Sequence, residues 1–173
     1  MSEDRVDLGR RSLLRGRLQR EVMPLRPPYA SNDRVLSACV RCGACAAACP
    51  EGIIAAGDGG YPEVDFRIGE CTFCGECANA CPAPVFELVQ DVPWSQAAAI
   101  GDACFARKGI VCQSCRDACP AGAIVFTVGW GGPSRPQVDT AACTGCGACV
   151  SPCPAGAVTI VRAESRQETK HVR

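Results

Sequence analysis

Apolar residues in this chain occur in short runs separated by glycine-rich turns, a pattern typical of small β-hairpins. Residues 53–56 and 61–66 flank the turn at 57–60. Residues 123–128 lead in the same way through a second glycine-rich turn to residues 136–139. Runs of this length, bounded by glycine and proline, indicate strands. We therefore predict two hairpins, one in each half of the chain.

The two predicted hairpins resemble each other in sequence. Pro62-x-Val64-Asp65 in the first corresponds to Pro136-x-Val138-Asp139 in the second. The segment between the two halves differs, because it has one apolar run at 85–89 and then a helix-prone run at 95–99. These patterns predict an internal duplication of one α+β module. The predicted boundaries are a first module at 31–84, a linker at 85–102, a second module at 103–161 and a charged tail at 162–173.

The first thirty residues predict a basic arm. Leu14, Leu18 and Val22 recur every four residues among arginines, which indicates an amphipathic helix. Residues 1–30 carry seven arginines and four acidic residues, whereas residues 31–161 carry seven basic and twelve acidic ones. The arm could bind a partner, or it could pack as a solvated face on its own acidic body.

Cysteine changes the picture most, because a chain with 5% aromatic residues cannot build a large hydrocarbon core. There are 16 cysteines. They fall into four sets, each followed by proline: Cys39, Cys42, Cys45 and Cys49; Cys71, Cys74, Cys77 and Cys81; Cys104, Cys112, Cys115 and Cys119; Cys143, Cys146, Cys149 and Cys153.

The spacing C-x2-C-x2-C-x3-C-P is that of bacterial ferredoxins that bind [4Fe–4S] clusters. Small residues between the cysteines let the backbone approach a cluster. Structural zinc is the alternative, but it normally takes two separated C-x2-C pairs and leaves the third and fourth cysteine without a role. Disulfides would require export. Arg10-Arg11 resembles a twin-arginine signal, yet Arg15, Arg17 and Arg20 interrupt any apolar run that could follow it. We therefore expect a cytoplasmic protein with four [4Fe–4S] clusters.

In ferredoxins with two clusters, the fourth cysteine of each run binds the other cluster. This rule predicts four ligand sets, which we name sites A to D. Site A is Cys39, Cys42, Cys45 and Cys81; site B is Cys71, Cys74, Cys77 and Cys49; site C is Cys104, Cys112, Cys115 and Cys153; site D is Cys143, Cys146, Cys149 and Cys119. The third set departs from the pattern, because Cys104 lies eight positions before Cys112. A Cys104 thiol that fell short of the cluster would leave three irons at site C.

Several segments resemble the NapF family, ferredoxin-type accessory proteins of periplasmic nitrate reductase systems. They are residues 10–16, residues 25–30, residues 59–66 followed by 70–74, and residues 100–104 with the long gap to Cys112. The resemblance covers residues 9–160. It implies two tandem bacterial-ferredoxin-like 2[4Fe–4S] modules in the cytoplasm. It also implies a partner, the precursor of the catalytic nitrate reductase subunit, whose maturation the protein would assist.

Other functions find less support. A formal net charge of zero gives no case for nucleic-acid binding. Acid–base or triad catalysis is not expected, because His171 is the single histidine and lies in the charged tail. No apolar run is long enough to span a membrane. A general electron carrier with other redox protein partners remains the alternative function. A zinc-binding interaction module, which would be colourless, is a third.

Overall fold

The computed structural model describes residues 23–88, 94–127 and 134–162. The predicted arm helix, Trp130 and His171 lie outside these ranges. Four short helices are present in the described ranges: α1 (Asn32–Ala38), α2 (Ala44–Ala47), α3 (Glu76–Asn79) and α4 (Ser114–Asp117). Six strands accompany them: β1 (Ile54–Ala56), β2 (Pro62–Val64), β3 (Gln96–Ile100), β4 (Ile124–Thr127), β5 (Arg135–Val138) and β6 (Val158–Arg162).

The two predicted hairpins are confirmed, and they have the same register. In the first, Ile54 pairs with Val64, and in the second Ile124 pairs with Val138. Each hairpin closes with the same further hydrogen bond at 2.8 Å, from Asp65 N–H to the carbonyl of Ile53 and from Asp139 N–H to that of Ala123. The duplication seen in the sequence is therefore a structural duplication.

The helix-prone run at 95–99 is not helical. Residues 96–100 form strand β3, which pairs antiparallel with β6 from Gln96↔Arg162 to Ile100↔Val158. Alanine favours helices in isolation, but pairing with a partner strand overrides this weak preference. Strand β3 thus lies inside the range predicted as linker, and it joins the two ends of the second half of the chain.

In the first half of the chain, an isolated β-bridge takes the place that the β3–β6 ribbon has in the second half. Ala30 forms an isolated antiparallel bridge with Phe86, and Glu87 N–H donates to the carbonyl of Tyr29 at 2.9 Å. Leu25 joins the hairpin as well, because its carbonyl accepts a 2.8 Å hydrogen bond from Val64 N–H. The described end of the arm is therefore bound to the first module.

The core is made of small aliphatic residues and cysteines. Val35, Ile53, Val85 and Ile124 are at most 2% exposed. Cysteines from all four sets pack in or against the same cluster of buried residues. No helix in the described ranges is long and apolar enough to cross a bilayer.

Candidate metal centres

Site A lies between α1, the first hairpin and the end of the first module. Its four thiols, Cys39, Cys42, Cys45 and Cys81, line one cavity. Pro62, Val85 and Phe86 line the same cavity and place apolar surface beside the sulfurs. A half-shielded cavity with four thiols has the donor set that an iron–sulfur cluster requires.

Site B lies toward the open end of the first hairpin, whereas site A lies toward its turn. Its thiols, Cys49, Cys71, Cys74 and Cys77, line a second cavity, together with Ile53 and Val64. Helix α2 connects Cys45 of site A with Cys49 of site B, and α3 connects Cys77 with Cys81 in the opposite direction. Each one-turn helix therefore carries the chain from one site to its neighbour.

Site D repeats this arrangement in the second module. Cys119, Cys143, Cys146 and Cys149 line a third cavity with Ile124 and Ile160. The cavity also includes Gly145 and Gly147, the two glycines that flank Cys146.

Site C is assembled differently. Cys104 and Cys115 are both buried, and burial, followed by the charges of Cys104 and Cys153, raises the pKa of Cys115. These three thiols are therefore close together, and Cys112 lies half-buried at the start of the same loop. Residues 105–111 fold into a compact turn in which Ile110 N–H donates to the carbonyl of Phe105 at 2.9 Å. The insertion thus leaves the chain free to bring Cys104 back to Cys115.

The backbone of three cysteine loops has a shared left-handed pattern. The residues before and after the second cysteine have positive φ in sites A, B and D: Arg41 and Gly43, Phe73 and Gly75, Gly145 and Gly147. Such conformations turn successive N–H groups toward a concave anion site. At site C the residue after Cys112 is Gln113, with φ −135°. This loop therefore presents its N–H groups in another way.

Backbone N–H groups already contact several sulfurs. Arg41 N–H donates to Cys39 Sγ at 3.4 Å, Ala98 N–H to Cys143 Sγ at 3.5 Å, and Ala157 N–H to Cys153 Sγ at 3.3 Å. Hydrogen bonds of this kind stabilise negative charge on cluster sulfur and help to set reduction potentials.

Three of the thiols hold their protons strongly. Burial raises the pKa of Cys71 to about 11, and burial raises the pKa of Cys77 and of Cys149 to about 12. Metal binding requires thiolates, so iron must displace these protons. None of the sixteen cysteines forms a disulfide. Within the described ranges, no three histidine, cysteine or acidic side chains surround a single metal-ion position. The cysteines meet instead around the larger cavities.

A comparison with known protein families matches the two modules as separate segments of the chain. A family model described as a 4Fe-4S dicluster domain matches residues 38–85 and 108–171. The first match spans all cysteines of sites A and B, and the second spans those of sites C and D except Cys104. The chain therefore contains [4Fe–4S] domains with a ferredoxin-like α+β fold.

Curated relatives narrow the assignment. "Ferredoxin-type protein NapF" of Escherichia coli is 40% identical over 145 residues, which cover 83% of this chain and 88% of that protein. "Ferredoxin-type protein NapF" of Haemophilus influenzae is 42% identical over 153 residues, or 82% and 87% of the two chains. The chain belongs to the NapF family. The NapF resemblance that the sequence predicted is thus confirmed. "Methylamine utilization ferredoxin-type protein MauM" of Methylorubrum extorquens is 34% identical over 146 residues, covering 73% of this NapF-type chain and 66% of that protein.

Sequence patterns did not identify every residue that shapes these sites. Arg26, assigned to the arm, is 4% exposed and hydrogen-bonds the first hairpin. Trp94 donates a hydrogen bond to the carbonyl of Thr144 in the site D loop, and no sequence pattern indicated this contact. Two sequence signals could have pointed to these residues: the position of Arg26 between Leu25 and two prolines, and the position of Trp94 directly after Pro93.

Proposed function

We propose that this protein holds four [4Fe–4S] clusters at sites A to D and is a cytoplasmic accessory protein for a periplasmic nitrate reductase. Its role there is to supply electrons or clusters to the catalytic subunit before export. The observation that carries the proposal is the arrangement of thiols around three cavities, each lined by a crossed group of four, in a chain of the NapF family.

The residues present fit such clusters. The left-handed residues direct N–H groups toward the sulfurs, and Val85, Ile53 and Ile124 limit access of water to sites A, B and D. A [4Fe–4S] cluster bound there supplies one-electron chemistry. The cavities contain no histidine and no nucleophile poised beside a base, so the chain's own groups bind, shield and tune rather than react.

The experiment is an anaerobic co-purification. The tagged protein is produced in cells that make the nitrate reductase precursor, and the bound fraction is assayed for precursor, iron and sulfide. We expect the precursor together with four irons per site. A matched chain that lacks residues 1–22 tests whether the arm binds the precursor, because this deletion spares every described contact.

A general electron carrier is the second candidate, and the 2.8 Å hydrogen bond from Cys71 N–H in the first module to the carbonyl of Cys146 in the second favours it. Such a carrier would show full iron content, fast reversible reduction and no precursor. Recovery of the fully loaded protein without precursor in the presence of the intact arm would therefore refute the accessory role and leave the carrier. A colourless protein with zinc and no sulfide would refute both.

A further inference from the structure

The two modules meet through cysteine loops that belong to different sites. The backbone N–H of Cys71 in site B donates a 2.8 Å hydrogen bond to the carbonyl of Cys146 in site D. Sites B and D are therefore adjacent, although the sequence places them in separate modules.

Aromatic residues hold this contact together. Trp94 Nε1 donates a 2.9 Å hydrogen bond to the carbonyl of Thr144 in the site D loop. The Trp94 ring lies edge-on to Phe73 of the site B loop, with centroids 5.6 Å apart, and to Phe66, at 6.0 Å. One side chain thus contacts the loops of both sites.

The site D loop approaches the first module so closely that a side chain would not fit. A Cβ added to Gly147 would lie 2.0 Å from Cδ1 of Phe66. A Cβ added to Gly145 would lie 2.9 Å from Nε1 of Trp94. Glycine at these positions therefore permits both the left-handed backbone and the contact between modules.

We name as the junction the hydrogen-bonded pair Cys71 and Cys146 together with Phe66, Phe73, Trp94 and Gly147. We propose that the junction carries electrons between the two modules, so that four clusters form one path in the order A, B, D, C. The inference rests on the proposed function in one respect, namely that the four sites hold clusters.

The order follows from which sites the chain brings together. Helix α2 joins site A to site B, and α4 joins site C, at Cys115, to site D, at Cys119. The junction supplies the remaining link. Its hydrogen bond connects the backbone of one proposed ligand directly to that of another, and this gives a short bonded path between their sulfurs.

Each step of the path moves one electron. A low-potential flavin or iron–sulfur donor reduces the cluster at one end. Each transfer then returns the donating cluster to its oxidised 2+ state and reduces the accepting cluster to the 1+ state. No covalent bond forms or breaks, and no proton is transferred.

The test uses the iron-loaded full chain. Less dithionite is added than is needed to reduce all clusters, and samples are frozen at increasing times for EPR spectroscopy. A continuous path brings the reduced spectrum to its final form within the mixing time, at all protein concentrations. If electrons cannot cross between modules, the spectrum changes slowly, at a rate that rises with protein concentration as molecules exchange electrons by collision.

Two variants break the junction, and each has a matched control. Gly147→Ala forces Phe66 away, whereas Gly43→Ala imposes the same left-handed strain at the equivalent position of site A, where no atom lies within 4 Å. Trp94→Leu removes the aromatic contacts and the hydrogen bond to Thr144 but leaves the sequence of every cysteine loop unchanged. Phe126→Leu is its control, since Phe126 is a half-buried aromatic residue on β4 in the second module.

We expect both junction variants to lose the fast redistribution and both controls to keep it, each with full iron and sulfide. Fast redistribution in both fully loaded junction variants would overturn the inference. Co-purification of the precursor is measured on the same samples. Failure of the proposed function appears as missing iron or missing precursor in the unmodified chain, whereas failure of the junction leaves both unchanged.

Discussion

Arg26 joins three parts of the first module through a single buried guanidinium. Its Nη1 donates to the carbonyl of Pro62 at 3.0 Å, its Nε donates to Asn32 Oδ1 at 3.0 Å, and Glu63 lies 3.7 Å away. Burial lowers the pKa of Arg26, and Glu63 opposes that shift, but an arginine remains charged at any accessible pH. The residue therefore fixes the N-terminal segment to the hairpin beside site A.

We expect Arg26→Met to lower the free energy of unfolding by about 2–4 kcal/mol, because it leaves a buried carbonyl and a carboxylate without their partner. The measurement is anaerobic urea denaturation of the iron-loaded protein, followed by circular dichroism. Arg67→Met is the control, since Arg67 forms an exposed ion pair with Asp65 at 2.6 Å. Exposed pairs contribute little. Equal effects of the two substitutions would contradict the role given to Arg26.

Cys104 allows a second test at the scale of one residue. Its burial beside Cys115 favours Cys104 as the fourth ligand of the proposed site C, although seven residues, 105–111, separate it from Cys112 instead of the usual two. We expect Cys104→Ser to leave three thiol ligands and to produce the EPR signal of an oxidised [3Fe–4S] cluster. Ser114→Ala, in the same loop but without a lost thiol, should show no such signal. Four irons retained at site C in Cys104→Ser would exclude Cys104 as a required ligand.

The hairpins and the β3–β6 ribbon illustrate what each element contributes to a site. Ile124 of β4 and Ile160 of β6 both line the site D cavity. On β6, Ile160 is 8% exposed, whereas the neighbouring Thr159 faces solvent because side chains alternate along a strand. One face of β6 therefore shields sulfur and the other does not.

This alternation gives a paired prediction. Ile160→Ala should cost about 2–4 kcal/mol of stability, as expected for a large-to-small change in a core, and should expose the sulfurs of site D. We expect the iron of that site to be lost faster to an external chelator, with release followed by absorbance. Thr159→Ala should lose iron at the unmodified rate. Identical rates for the two variants would show that β6 does not protect the site.

The sequence predicted the elements that depend on neighbouring residues and missed those that depend on residues far away in the chain. The glycine-rich segments at 57–60 and 129–132 and the apolar runs beside them are local sequence signals, so both hairpins were predicted. Strand β3 was missed because its partner β6 lies at the far end of the module, and its alanines alone suggest a helix. The grouping of the thiols was predicted from spacing. The junction was not, because nothing in the spacing indicates which cavities face each other across modules.

At the scale of the whole molecule, the proposed clusters take the place of a hydrocarbon core. Fully buried large side chains are few in the described ranges, namely Ile53, Ile124, Val35, Val85 and Pro27. Four cysteines, Cys77, Cys104, Cys115 and Cys149, lie among the other buried residues. Short sheets of two strands each cannot stabilise a fold without such support. Folding should therefore be coupled to cluster binding in both modules.

We expect iron removal by an anaerobic chelator to abolish the circular dichroism of the folded state and to expose the chain to protease. Renewed iron and sulfide should restore both properties. A metal-free chain that kept its structure and its protection from protease would show that the polypeptide alone specifies the fold.

Reassembly should also depend on pH. Thiols of the unfolded chain are protonated at neutral pH, and burial of Cys77 and Cys149 on folding raises their pKa further, to about 12, so cluster binding must release protons. Raising the pH removes part of that cost, so iron uptake should strengthen from pH 7 toward pH 9. A pH-independent uptake would show that the buried thiols are not the groups that release protons.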